Sequence, residues 1–150
     1  GLPTRTTTIV KDGRLESFLL DTYAGRKLNR PSTGSASRSI GDAPGASPTN
    51  FRLAAGTTPA SDLITGIPRG LLVTGLSGMG VNTITGDYSR GASGLWIEGG
   101  EIAYAVEEIT IAGNLLEMFK SIDALGDDLA PRSGIAAPSL RIAEMTIAGS

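Results

Sequence analysis

The glycine pair Gly99-Gly100 restricts the fold of this chain more than any other feature. It separates two arms, Gly94-Leu95-Trp96-Ile97-Glu98 and Glu101 through Ile111, both rich in β-formers. A two-residue glycine turn between such arms specifies an antiparallel hairpin, because only glycine enters the mirror-image turn types without penalty. Side chains alternate along a strand, so the period of two puts Ile102, Tyr104 and Val106 on one face.

The other segments read in the same terms. Thr6 to Val10 and Leu15 to Leu20 flank Asp12-Gly13, a second hairpin signal. Asp21 is placed to cap a short helix through Tyr23, Ala24 and Leu28, and Asn114 to cap another from Leu115 to Ile122. Thr58-Pro59 opens a helix over Ser61 to Ile67, which Pro68 stops. Asn50 to Ala54, Gly70 to Gly75, Asp123 to Leu129 and Ser139 to Ile147 read as strands, and Pro131 and Pro138 bracket the loop before the last. Residues 29–50 are small, polar and aperiodic, and read as a mobile loop. No repeat of fixed period is present. The sum is an α+β fold, strand-rich and mainly antiparallel, with two or three short helices.

Composition excludes whole classes of chemistry. The 150 residues amount to one domain and contain no His and no Cys. A Ser-His-Asp triad, a Cys-His pair and any His- or Cys-ligated zinc are therefore impossible from this chain alone. A net charge of −2 gives no electrostatic footprint for general nucleic-acid binding. No apolar run reaches the 18 or so residues of a membrane span, and no secretory leader pattern opens the chain. The opening Gly1-Leu2-Pro3 lacks an initiator Met and reads as the interior of a longer polypeptide.

Four constellations carry polar chemistry. Gly75-Leu76-Ser77-Gly78-Met79-Gly80 is glycine-rich, but it lacks the Gly-Lys-Ser/Thr of a phosphate loop and the order of a dinucleotide fingerprint. A turn that lets two backbones approach closely is the better reading. Gly86-Asp87-Tyr88-Ser89-Arg90-Gly91 gathers reactive side chains between glycines, yet Ser89 is not in a nucleophile elbow and has no His or suitable Lys beside it. Asn82, Asp87, Ser89 and Arg90 are expected to face a cleft or a partner. Glu107-Glu108 and Asp127-Asp128 are sequence neighbours that point to opposite sides of a strand, so neither is an acid–base pair, and no calcium-loop spacing surrounds them. Arg5, Arg26, Arg30 and Arg38 concentrate in the N-terminal third, where they form a solvated face or meet an acidic partner.

An ordered series of motifs spans essentially the whole chain. It comprises Gly1-Leu2-Pro3-Thr4-Arg5, Phe18-Leu19-Leu20-Asp21-Thr22-Tyr23-Ala24, Pro48-Thr49-Asn50 and Arg69-Gly70-Leu71-Leu72-Val73-Thr74-Gly75. Gly80-Val81-Asn82, Thr85 through Ala92, Val106 through Leu115, Ala137-Pro138-Ser139-Leu140 and Met145 through Gly149 complete it. This series resembles the C-terminal region of the TldD/PmbA family, also described as modulators of DNA gyrase, and is closest to its PmbA/TldE branch.

The resemblance implies a cytoplasmic zinc metallopeptidase complex that matures or degrades peptides. A TldD-like catalytic subunit pairs with a PmbA/TldE-like one. In the catalytic branch an HExxxH helix supplies two His ligands and the general base, and a C-terminal Cys completes the metal site. Here Ser133-Gly134-Ile135-Ala136-Ala137 stands where that Cys is expected. The expectation is a non-catalytic subunit domain, with no catalytic or metal-binding residue and no cofactor of its own. Zinc would sit on the partner, the substrates would be extended or unfolded peptides, and neither nucleic acid nor membrane would be engaged directly. Two alternatives stay open: a parent that is itself an active metallopeptidase or self-associates, and an interaction module acting on gyrase without a peptidase role.

Overall fold

The structure is a computed structural model that describes residues 2–149. In chain order its elements are β1 (Val10–Lys11), β2 (Arg14–Leu15), α1 (Thr22–Lys27), β3 (Ala36–Ser37), β4 (Gly45–Ala46) and β5 (Phe51–Arg52). A 3-10 turn at Ala60–Ile64 follows. Then come β6 (Arg69–Ser77), β7 (Asp87–Glu98), β8 (Glu101–Asn114), α2 (Leu115–Lys120), β9 (Ile122–Leu125), β10 (Ile135–Ala136), β11 (Leu140–Ile142) and β12 (Thr146–Ala148). The fold is α+β, with mainly antiparallel strands and two short α-helices. The chain divides into two units: Gly1–Arg52 with Pro131–Ala136, and Leu53–Ala130 with Ala137–Ser150.

The smaller unit is made of strand pairs only two residues long. β1 and β2 pair through Asp12 and Gly13, whose φ values of 50° and 75° give the mirror-image turn that the sequence signals. The flanking strands extend only to Val10 and Leu15, shorter than the β-branched run predicts. Asp21 caps α1 as expected, its carboxylate accepting from the Ala24 amide at 2.6 Å. Residues 29–50 carry β3 and β4, paired antiparallel, and the buried Thr33. Thr33 Oγ1 accepts from the Leu20 amide at 2.7 Å and lies 3.1 Å from the Leu20 carbonyl and 2.8 Å from Ser35 Oγ. A hydroxyl that bridges two chain segments in this way organises the unit where apolar burial is scarce.

The larger unit is built on a four-stranded antiparallel sheet in the order β12-β8-β7-β6. Gly99 and Gly100, at φ 59° and 84°, turn β7 into β8. Ala92, Ile109 and Ile111 form its core, with Leu71, Tyr88, Val106 and Met145 packed on them, and Ile97 is 2% exposed.

The register corrects one expectation. Trp96 pairs with Tyr104 and the next residue, Ile97, pairs with Ile102, so Ala103 is an extra residue in β8. Ile102 therefore shares the face of Ile97. Tyr104 and Val106 share the face of Trp96 and Gly94, and the Tyr104 ring stacks on Trp96 at 6.4 Å. A second shift sets Glu107 and Glu108 opposite Ser93 alone, with Glu108 at φ 54°. Strict alternation fails at both bulges. The helix expected over Ser61 to Ile67 is the shorter 3-10 turn, and α2 ends at Lys120 because Ile122 enters β9, the strand that pairs with β11.

Candidate functional site

The connection from β6 to β7 builds a shallow open depression of about 360 Å³ in the larger unit, lined by Met79, Gly80, Val81, Asn82, Asp87, Tyr88 and Ser89. Its floor is a close approach of two backbones. The Ser89 amide donates to the Gly80 carbonyl at 2.7 Å, and Val81 bridges Tyr88. A Cβ on Gly80 would collide with the Ser89 carbonyl, so glycine is required there. This is the packing role that the glycine-rich segment suggests.

Asn82 and Asp87 frame the turn that rims the depression. The Asn82 amide donates to the Asp87 carbonyl at 2.9 Å, and the Gly86 amide to the Asn82 carbonyl at 2.8 Å. Asn82 Oδ1 accepts from the amides of Ile84 (2.9 Å) and Thr85 (3.2 Å). The Thr85 hydroxyl donates to Asp87 Oδ2 at 2.6 Å. Asn114 ties this turn to α2: its Nδ2 donates to the Thr85 carbonyl at 3.0 Å while its Oδ1 accepts from the Leu116 amide at 3.1 Å. The rim is thus pre-organised, and it presents Met79 and Ile84 almost fully to solvent.

Three of the four residues singled out from the sequence, Asn82, Asp87 and Ser89, come together at this depression. Arg90 does not. It follows Ser89 along β7, so its side chain starts from the opposite face, beside Ile111 across the ladder. Its Nε is buried and has no hydrogen-bond partner among the described residues.

A second depression, about 340 Å³, was not marked by any sequence signal. Gly56, Thr57 and Thr58 line it together with β9, and Gly56 packs directly on the Leu125 carbonyl. Beside it Arg141 donates to Asp123 at 2.8 Å and to the Leu63 carbonyl at 3.3 Å. The Arg141 hydrogen bond and charge hold the Asp123 carboxyl below the usual range. Asp128 is held low too, by the Ser139 hydroxyl (2.7 Å) and amide (2.8 Å).

No His or Cys exists in the chain, and among the described residues no three carboxylates gather as a ligand set. The donors do not fit a zinc site. Among the described residues no Lys is hydrogen-bonded to Ser89, and Lys120 is paired with Glu117 at 2.9 Å. In the segment Ser133–Ala137, the Ser133 hydroxyl donates to the Ile135 carbonyl at 2.6 Å and Ala136 is buried. No helix of the described residues is long and apolar enough to cross a membrane.

A sheet-based α+β module is the class that the fold defines. Residues 1–149 match the family model of the PmbA/TldA metallopeptidase C-terminal domain. The chain belongs to this PmbA/TldD metallopeptidase family. It is 44% identical over 149 residues to metalloprotease PmbA of Escherichia coli O157:H7, which covers 99% of this chain and 31% of that protein. It is also 26% identical to a metalloprotease TldD homolog of Haemophilus influenzae, across all of this chain and 34% of the relative. The chain therefore spans about a third of the length of these relatives.

Solved structures agree. TldE from Thermococcus kodakarensis matches with a TM-score of 0.89 at 26% identity, over 99% of this chain and 35% of that one. A candidate modulator of a DNA gyrase from Thermotoga maritima matches with a TM-score of 0.87 at 34% identity, over 98% and 34%.

Proposed function

We propose that this chain is the C-terminal domain of a non-catalytic subunit in a TldD/TldE-type zinc metallopeptidase complex of the cytoplasm. The observation that carries the reading is the donor set: the 149 residues that match the family's C-terminal domain offer no imidazole and no thiolate. The catalytic zinc then belongs to a TldD-like partner. This domain contributes dimerisation and a wall of the peptide chamber.

The larger unit suits that work. β6 pairs only with β7, so one edge of this nine-residue strand is unpaired among the described residues. An extended peptide adds to such an edge through main-chain hydrogen bonds, without sequence preference. The depression at Asn82, Asp87 and Ser89, flanked by Met79 and Ile84, supplies a polar floor and apolar contacts for a peptide or partner segment.

The test is zinc content and peptidase activity of the full-length parent, alone and co-expressed with a TldD-like subunit. Zinc and hydrolysis of an unstructured peptide only in the co-expressed complex are expected. Zinc and activity from the parent alone would overturn the reading in favour of a self-sufficient peptidase, the alternative favoured by the name of the Escherichia coli relative.

A further inference from the structure

The net charge of −2 conceals two units of opposite sign. The smaller unit holds nine Lys and Arg against four Asp and Glu, a side-chain charge of +5 in 58 residues. The larger holds four against eleven, a charge of −7 in 92 residues. All nine cations of the smaller unit are exposed, and none takes part in an ion pair among the described residues. One of its four carboxylates, Asp21, is buried as the helix cap.

The cations are concentrated. α1 carries Arg26 and Lys27 in its last turn, and the chain then folds back so that the Arg30 amide donates to the Gly25 carbonyl at 2.8 Å. Gly25 has no room for a side chain beneath this return, because a Cβ would lie 2.8 Å from the Arg30 carbonyl. Arg5 reaches the same return, donating to the Ser32 carbonyl at 2.9 Å. Lys27 Nζ lies 4.9 Å from the Tyr23 ring centroid and the Arg30 guanidinium 5.4 Å from that of Phe18, and both rings are exposed. Ring faces hold these cations at the surface rather than neutralising them. Elsewhere in the unit, Lys11 and Arg14 stand directly opposite each other across the β1–β2 ladder. Like charges at that spacing destabilise a pair, and an anion between them relieves it.

We propose that the smaller unit is an electrostatic docking surface for acidic polypeptide segments, centred on Arg26, Lys27 and Arg30. The inference rests on the peptidase reading for its ligand class: a peptide-handling complex meets carboxylate-bearing chains. Guanidinium groups recognise carboxylates by paired hydrogen bonds, and exposed Phe18 and Tyr23 give flanking apolar contact. Such a surface captures acidic peptides early and biases turnover toward them, while a main-chain edge elsewhere stays indifferent to sequence.

The experiment measures binding, not hydrolysis, so its failure is separable from failure of the peptidase reading. Fluorescein-labelled 16-residue peptides of Glu, Gly and Ser, of Gln, Gly and Ser, and of Lys, Gly and Ser are titrated into the full-length parent, with oligo-dT of 16 nucleotides alongside. Anisotropy is read at low and moderate salt. The Glu peptide is expected to bind at least about tenfold tighter than the Gln peptide, with the advantage shrinking as screening increases. The variant R26E/K27E/R30E should invert the preference toward the Lys peptide, an outcome that mere unfolding does not produce. R26Q/K27Q/R30Q should lose the preference without inverting it. Equal binding of the Glu and Gln peptides, or a preference that survives both variants, overturns the proposal. Tighter binding of oligo-dT than of the Glu peptide overturns it in favour of a nucleic-acid surface.

Discussion

The two units solve the problem of holding a chain together in different ways. The larger one has a sheet of four strands, two of them 12 and 14 residues long, and buries Ile97, Ile109 and Ile111. The smaller one has no strand longer than two residues, and its buried apolar side chains are Leu20 and Ala136. What it has instead is polar: the Thr33 hydroxyl between Leu20 and Ser35, the Ser32 hydroxyl on the Leu20 carbonyl at 2.9 Å, and the Asp21 cap. Non-directional burial tolerates the bulges of β8. A hydrogen-bond lattice does not tolerate the loss of a single donor, because each group left behind stays desolvated.

That contrast is open to experiment. Ile97→Ala should have the largest effect, about 3 kcal/mol of stability, because a nearly inaccessible side chain leaves a cavity in the sheet's packing. Urea unfolding of the 150-residue chain, followed by its one tryptophan, Trp96, reports on it directly. A loss below 1 kcal/mol would show that the burial of Ile97 contributes little.

Thr33→Val should cost about 2 kcal/mol in the smaller unit by removing hydrogen bonds while keeping the volume, and Thr33→Ser should restore most of it. Exchange of the Leu20 amide is the readout. Equal exchange in the Val and Ser variants would mean that shape, not the hydroxyl, organises this unit.

Acidification should have the smallest effect. Asp123 and Asp128, both in the larger unit, have carboxyl groups held below the ordinary value of about 3.9, so the unfolded chain binds more protons at acid pH. Their contribution is complete above the unfolded value and disappears as pH falls through the lower folded one. Both groups are exposed and solvent-screened, so the urea midpoint should decline only modestly from pH 5 to pH 3. Asp123→Asn should flatten part of that slope, and an unchanged slope would remove the Arg141 pair from the account.

Local signals were legible wherever one or two residues decide a conformation. Asp12-Gly13 and Gly99-Gly100 turn hairpins because positive φ is needed at both central positions. Asp21 and Asn114 cap their helices because a short side chain with an acceptor reaches the free amides. The bulges at Ala103 and Glu107-Glu108 left no mark, since they are settled by how two strands match in length. Ile102 therefore lies on the face opposite that of Tyr104 and Val106, not on the one that strict alternation gives it.

At the candidate site, Asn82, Asp87 and Ser89 converge through a turn whose partners lie close in sequence. Arg90 lies outside that lining, one residue further along β7, and its side chain leaves the strand on the face opposite that of Ser89. The split of charge between units stayed hidden because Pro131–Ala136 rejoins the N-terminal unit from far down the chain, and the total nearly cancels.

That return has a consequence in time. β10 pairs in parallel with β5, Ile135 on Phe51 and Ala136 on Arg52. The N-terminal unit is therefore interrupted by the segment 53–130 and cannot close until residue 136 has been synthesised. At ribosomal rates of about 5–20 residues per second, roughly 4–17 seconds separate the emergence of one half of that parallel pair from the other. Throughout that interval the nascent chain shows its environment a cationic, unlatched segment, and once Asn114 has been added the hairpin β7–β8 has the whole of its sequence available to fold first.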